Sequence, residues 1–412
     1  MAISPEIKIH LIRDLLPFWL GLMDKENGGY YGYVSSDGVI DPKADKGCVL
    51  NSRILWVMST CYKLCMDGAL SETKLQDAGY SSRDIIEAAR HAYEFFRDHY
   101  FDAEYGGIFW SVTYDGKPSD TTKHAYNHAF AIYALAEFYE VTRDIEAFKL
   151  AYYLKNCVEN MFTDEIGYLE SFGRDFIPDN NPKLSENGVS AYRTMNTLLH
   201  IMEAYTELYR INKETDDKFL KRKIYNILDI FETKIYNPEK GRLEVFFDKD
   251  YNSLIDLRSL GHDIEMSWLL DKTCEVMGDE ELASRMAPIS ASLAENTLAY
   301  GFDGHSLAYE IERGVVKQTR AWWIQAESVI GFTNAYMKTD DKRYKLAERA
   351  NWEFIRDHMI VKSRPAEWYN EVSQDGVPDL SLPLVAEWKC PYHNVRMCME
   401  ILRRTMSFKE EL

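Results

Sequence analysis

The chain has 412 residues, 46% hydrophobic and 28% charged, which is ample for a large buried core. Its formal net charge of −18 repels phosphate backbones and anionic lipid, which argues against nucleic-acid and membrane partners and favours a neutral small molecule. Its seven cysteines include no CxxC pair, which argues against a disulfide framework or zinc knuckle and for a reducing compartment, the cytoplasm.

Residues 5–23 keep a 3.6 period through Ile9, Ile12, Leu15, Leu16, Trp19 and Leu22, and predict an amphipathic helix rather than a leader peptide. No run approaches the ~18 apolar residues that span a bilayer. DKENGGYYGY follows at 24–33, and a near copy, DAEYGGIFWS, stands at 102–111. Looser copies are TDEIGYLESF at 163–172, NPEKGRLEVFFD at 237–248, FDGHSLAYE at 302–310 and PAEWYNEVSQDG at 365–376. Each opens on turn-forming residues and runs into alternating aromatic or apolar ones, the pattern of a short hairpin.

The text between these phrases predicts twelve helices, near 5–23, 50–67, 82–99, 123–142, 145–161, 191–211, 216–235, 262–278, 279–299, 322–338, 341–359 and 391–405. The order repeats: odd helix, long loop with hairpin, even helix, short turn. Even helices such as HAFAIYALAEF (128–138) and ILWVMSTCY (54–62) are apolar on more than one face, as buried helices are, whereas IIEAARHAYEFFRDHY keeps a polar face. The expectation is an all-α fold, an (α/α)6 barrel with six inner and six outer helices and short β-hairpins in the loops of one face. An open solenoid of the same helix pairs is the alternative. No linker rich in Pro, Gly or Ser divides the chain, and 174–190 reads as a long loop, so one domain over 1–412 is expected.

Such a barrel gathers its long loops beside the N-termini of the inner helices, where free N–H groups and the positive dipole end lie. Polar and aromatic residues collect there: Arg53; His124, Tyr126, Asn127 and His128; Asn196 and His200; His262 and Glu265; Trp322, Trp323, Gln325 and Glu327; Trp388 and His393. Asn196 and His200 share a helix face, as do His262 and Glu265, whose carboxylate can fix an imidazole tautomer. His124 and His128 have the spacing of a metal pair, but no HExxH or third ligand accompanies them, and no metal is expected. His10, His91, His99, His305 and His358 fall on outer helices or loops and read as structural.

Tryptophans beside Asn, Arg, Glu and His suit a sugar, whose C–H face stacks on aromatics while its hydroxyls take hydrogen bonds. Glycoside hydrolysis wants two opposed carboxylates. Two histidines instead suit removal of a proton from carbon and its return. The residues therefore point to a carbohydrate isomerase or epimerase, with hydrolase or lyase behind it. No Rossmann or Walker glycine pattern is present, and no cofactor is expected.

The segments NSRILW, KHAYNHAFAIYAL, TMNTLLHIMEAYTELY, SLGHDIEMSWLL, RAWWIQAE and EWKCPYHN resemble the N-acylglucosamine 2-epimerase superfamily over nearly the whole chain. The likeness is greatest to members acting at C2 of the reducing-end glucose of β-1,4-linked disaccharides. The resemblance implies an (α/α)6 barrel and a metal-free reaction through a cis-enediolate. It implies His262 and His393 as the acid/base pair, Arg53 and His200 as holders of the O1/O2 region, and Glu265 as an aid to ring opening or histidine orientation. It implies Tyr126, Asn196, Trp322, Trp323 and Trp388 as lining of the sugar subsites. Epimerases of N-acetylglucosamine and aldose–ketose isomerases of the same fold are the nearest rivals; a sugar-binding barrel without activity is a more distant one.

Overall fold

Twelve helices alternate between two concentric rings in the computed structural model, which describes residues 3–178, 183, 187–363 and 365–410. The outer helices are α1 (Ser4–His10, Leu11–Leu15 and Leu16–Leu20 in succession), α3 (Ser82–His99), α5 (Ile145–Met161), α7 (Lys218–Ile230 running into Phe231–Ile235), α9 (Glu280–Gly301) and α11 (Lys342–Phe354 running into Ile355–Met359). The inner ones are α2 (Cys48–Met66), α4 (Ala125–Thr142), α6 (Met195–Ile211), α8 (Leu260–Met277), α10 (Trp322–Thr339) and α12 (Tyr392–Glu410). Each inner helix packs on the next around the ring, and α12 returns to α2, so the barrel closes and the open solenoid does not apply. Residues 48–61 of α2 and 125–138 of α4 are buried without interruption, whereas α3 buries only the face of Ile85, Ala88, Ala89, Ala92, Tyr93, Phe95 and Phe96. Helices buried all round need partners on every side, and a closed double ring supplies them.

In α1 the turn at Leu11–Leu15 is a π-turn just ahead of Pro17. Proline brings no N–H and crowds the carbonyl four residues back, which a wider turn relieves. Among the described residues no helix is long and apolar enough to cross a membrane.

The junctions from inner to outer helix are short where one residue in left-handed conformation meets an Asp cap. Arg143, Asp216, Gly278 and Asp340 have positive φ, and Asp144, Asp217, Asp279 and Asp341 follow them, each accepting from a backbone N–H of the next helix. The α2–α3 junction departs from the expected short turn: residues 67–81 carry an extra helix, Glu72–Gln76.

The repeated phrases follow the outer helices. Each closes a tight turn by a bridge: Met23 with Tyr30, Phe101 with Ile108, Thr163 with Tyr168, Phe302 with Leu307, Ile360 with Trp368, and the short ladder Tyr236–Asn237 with Arg242–Leu243. Gly28 and Gly29 have φ of 81° and 64°, and a Cβ on Gly29 would lie 2.6 Å from Phe95. The chain then pairs with its neighbour rather than with itself. Lys46–Gly47 pairs with Ser111–Val112, Lys123–His124 with Ser171–Phe172, Arg193–Thr194 with Phe246–Phe247, and Arg320–Ala321 with Glu371–Val372. The expected self-contained hairpins are thus mostly ladders between adjacent loops, which tie the loop layer into a continuous collar. Of the long loop 174–190, residues 179–182 and 184–186 lie outside the described residues.

Ion pairs lock the collar. Lys46 meets Asp24 at 2.7 Å, Lys123 meets Asp102 at 2.9 Å, Lys389 meets Glu367 at 2.7 Å, and Arg193 and Arg320 meet Asp164 and Asp303. In each, the cation precedes an inner helix and the acid belongs to the tight turn before it.

Candidate active site

The first turns of the inner helices surround a cavity of about 280 Å³ at the loop end of the barrel. All ten residues that the family resemblance implies as site residues line it: Arg53, Tyr126, Asn196, His200, His262, Glu265, Trp322, Trp323, Trp388 and His393. His262 and His393 converge on one indole, their ring centroids 4.8 Å and 5.6 Å from that of Trp323.

Three histidines engage the protein through Nδ1. His262 Nδ1 meets Ser259 Oγ at 2.7 Å, His393 Nδ1 meets Glu327 Oε1 at 2.8 Å, and His200 Nδ1 meets Glu203 Oε2 at 3.0 Å. Each Nε2 is thereby the nitrogen available to a ligand. Burial lowers His262 to about 4, although the Glu265 charge opposes this; burial and the Arg396 charge hold His393 well below its ordinary value, and burial lowers His200. Neutral imidazoles at physiological pH are competent bases.

Beneath them lies a buried charge network. Arg396 donates to Glu327 at 2.6 Å, to Glu203 at 2.7 Å, and to Glu265. Tyr392 donates to Glu203 at 2.5 Å and Trp268 Nε1 to Glu327 at 3.0 Å. Three carboxylates share this one guanidinium. Burial therefore raises Glu327, to about 8, while burial disfavours the charge on His393, so one proton is shared along the Glu327–His393 bond. Glu265, Glu327 and His393 bring ligand atoms close enough for a metal cage, and the Arg396 guanidinium supplies the cation for both carboxylates.

Arg53 reaches the cavity with Nη2 2.9 Å from Tyr126 Oη and Nη1 3.4 Å from the Trp388 carbonyl, its guanidinium carbon 4.1 Å from the Phe130 ring. Arg53 Nε, Asn196 Oδ1 and Glu265 Oε2 are buried and have no hydrogen-bond partner among the described residues. Buried polar atoms are costly when unpaired, so three facing one cavity mark positions that a polar ligand would satisfy. Trp388, 37% exposed, stands at the mouth, whereas Trp322 is a buried wall between Lys389 Nζ, 4.5 Å away, and the His393 ring, 5.2 Å away.

Other sequence candidates do not meet the cavity. His128 accepts from Ile108 N–H through Nε2 and contacts the His124 carbonyl through Nδ1, so it stitches a loop and does not join His124 in a metal pair. Asn127 donates to the Phe109 carbonyl, and Gln325 accepts from and donates to the Leu307 backbone. Glu265 does not orient His262 by a hydrogen bond: Arg396, a charged donor, takes its carboxylate, and Ser259 holds the imidazole. Sequence reasoning left Arg396, Glu203, Tyr392 and Ser259 unnamed and gave Glu327 no role. The three-residue spacings Ser259–His262, His200–Glu203 and His393–Arg396 were the available signal.

The profile of the N-acylglucosamine 2-epimerase family matches residues 29–396. The chain belongs to this family. It is 47% identical to a cellobiose 2-epimerase of Eubacterium cellulosolvens over 95% of this chain and 96% of that one. A cellobiose 2-epimerase of Ruminococcus albus is 42% identical over 98% and 99%. The solved cellobiose 2-epimerase of Bacillus thermoamylovorans B4167 superposes with a TM-score of 0.89 at 40% identity, covering 98% of this chain and 99% of that one.

Proposed function

We propose that the chain epimerises C2 of the reducing-end glucose of β-1,4-linked disaccharides, turning cellobiose reversibly into glucosyl-mannose and acting on lactose likewise. The convergence of His262 and His393 on Trp323, each with Nδ1 anchored, carries this reading. It agrees with the activity named for relatives up to 47% identical over nearly their full length.

The glucose unit reacts as its open-chain aldehyde. One imidazole takes the C2 proton; the C–H electron pair becomes the C1–C2 double bond, and the carbonyl pair moves onto O1. The resulting cis-enediolate carries charge on O1, which the Arg53 cation stabilises, while His200 Nε2 accepts from a substrate hydroxyl. Rotation about C2–C3 turns the other face of C2 to the second imidazole, which returns a proton. When His393 is the donor, it gives the Nε2 proton to carbon and takes the Glu327 proton at Nδ1, so the imidazole stays neutral and the new carboxylate charge falls on Glu327, paired with Arg396. Tyr126, Asn196 and the tryptophans hold the hydroxyls and ring faces.

Incubation with cellobiose and chromatography of the products tests this. Glucosyl-mannose should form, with deuterium at C2 when the solvent is heavy water. Conversion of mannose to fructose with cellobiose untouched would replace this reading with an aldose–ketose isomerase.

A further inference from the structure

The phrase DAEYGGIFWS ends on an aromatic that the proposed mechanism does not use. Trp110 is 1% exposed and lies behind the cavity wall. Its ring centroid is 5.4 Å from that of Trp388 on one side and 4.5 Å from that of His124 on the other, and Lys183 Nζ lies 5.1 Å over it. His124 is 1% exposed, and among the described residues neither ring nitrogen has a hydrogen-bond partner. A histidine buried this way acts as a packing ring, set at 53° to the Trp110 indole, rather than as a donor.

Trp388 needs such a support. It stands on a turn outside any helix, closed by the Ala386 N–H to Lys389 carbonyl bond, so no helix fixes its rotamer. Its indole is held by rings of the second repeat: Trp110 and Tyr126, the latter 5.5 Å away. The reacting carbon of the proposed reaction lies by His262 and His393, deeper in the cavity. Trp388, at the mouth, is exposed on the side away from these histidines, where a ring beyond the reacting one would lie.

We propose that Trp110, backed by His124, is a positioning residue that fixes Trp388 as the platform for the second sugar ring, and so sets the preference for a disaccharide. This rests on the proposed epimerase reading. An aromatic contact of this kind is worth enough to move binding roughly three- to tenfold.

The test is a double-mutant cycle in the full chain with Trp110→Leu, Trp388→Ala and the pair. Two readouts are taken: kinetics on cellobiose, and the Kd of cellobiitol, the reduced disaccharide that cannot react. Trp110→Leu should raise the cellobiose KM and the cellobiitol Kd about tenfold with kcat within twofold. The double variant should be no worse than Trp388→Ala alone, and Trp110→Phe should recover most of the loss. Additive losses, or a Trp110→Leu effect confined to kcat, would overturn the proposal. Should Trp110→Leu not fold, Trp110→Phe and His124→Phe carry the cycle, the first expected to raise Kd about threefold and the second less. Failure of the wild type to turn over cellobiose refutes the epimerase reading instead, and the cellobiitol cycle still decides the role of Trp110.

Discussion

Glu327→Gln tests the proton-sharing pair directly. Glu327 does not line the cavity, yet its carboxyl meets His393 Nδ1 at 2.8 Å, Arg396 at 2.6 Å and Trp268 Nε1 at 3.0 Å. An amide keeps the shape and can still accept from Trp268. It cannot pass a proton to Nδ1, and its NH2 cannot accept from Arg396. The structural loss is one charge-assisted bond, about 1.5–3 kcal/mol, because Glu203 and Glu265 still neutralise Arg396. The catalytic loss is larger. An amide NH2 can donate to Nδ1 but cannot release a proton to it, and positioned acid–base groups are worth roughly 10²–10⁴-fold, or about 2.7–5.4 kcal/mol of barrier. Initial rates on cellobiose should therefore fall at least ~100-fold in kcat with KM changed less than about threefold, while a thermal melt stays cooperative. A kcat within about threefold of wild type would refute the assigned role of the pair.

The pH profile should be a plateau with two distinct limbs. kcat/KM falls in acid as His262 protonates near 4 and in base as Glu327 loses its proton near 8, and Glu327→Gln should erase the basic limb. His128, held down to about 3 by burial, gives a stability prediction. Its folded value is depressed, so the unfolded chain binds the extra proton between the ordinary value near 6.5 and about 3. Its contribution is full above 6.5 and is lost as pH falls; His128→Gln should flatten the slope of unfolding free energy by ~1.4 kcal/mol per pH unit between pH 6 and 4 in denaturant titrations. Asp102→Ala strands the buried Lys123 amine and should cost about 3–5 kcal/mol by urea unfolding. Gly261→Ala puts a methyl 2.5 Å from the Trp323 ring and should lower kcat/KM by displacing the indole that both histidines touch, read by the cellobiose assay.

Helical period carried most of the fold, because each inner and outer helix buries enough surface to print its face on the sequence. The predicted ranges 82–99 and 145–161 coincide with α3 and α5. The prediction failed where pairing is non-local: residues 191–194 were taken into α6, but Arg193–Thr194 is a strand because Phe246–Phe247 lies beside it. No local pattern carries that pairing.

The candidate site was legible for a geometric reason that also explains the misassigned residues. Successive helical residues turn about 100°, so the second and sixth residues of a helix share a direction and the fourth points nearly opposite. Counting from the first residue of each inner helix, the second residues of α4, α6, α10 and α12 are Tyr126, Asn196, Trp323 and His393. The sixth residues of α2, α6, α8 and α10 are Arg53, His200, Glu265 and Glu327. These face the cavity or the groups that line it, and their types differ from repeat to repeat. The fourth residues of α2, α4, α8 and α10 are Asn51, His128, Asp263 and Gln325, and each accepts from the backbone N–H of a bridging residue: Tyr30, Ile108, Leu243 and Leu307. That bond recurs in four of the six repeats, where the same loop is held; α6 and α12 carry Leu198 and Val395 at that position. A polar residue at the start of an inner helix is thus structural when it keeps the repeat's phase and a candidate for chemistry when it does not. Superposing the six phrases would have removed His128 and Gln325 from the candidates and promoted Glu327, two helical positions further on.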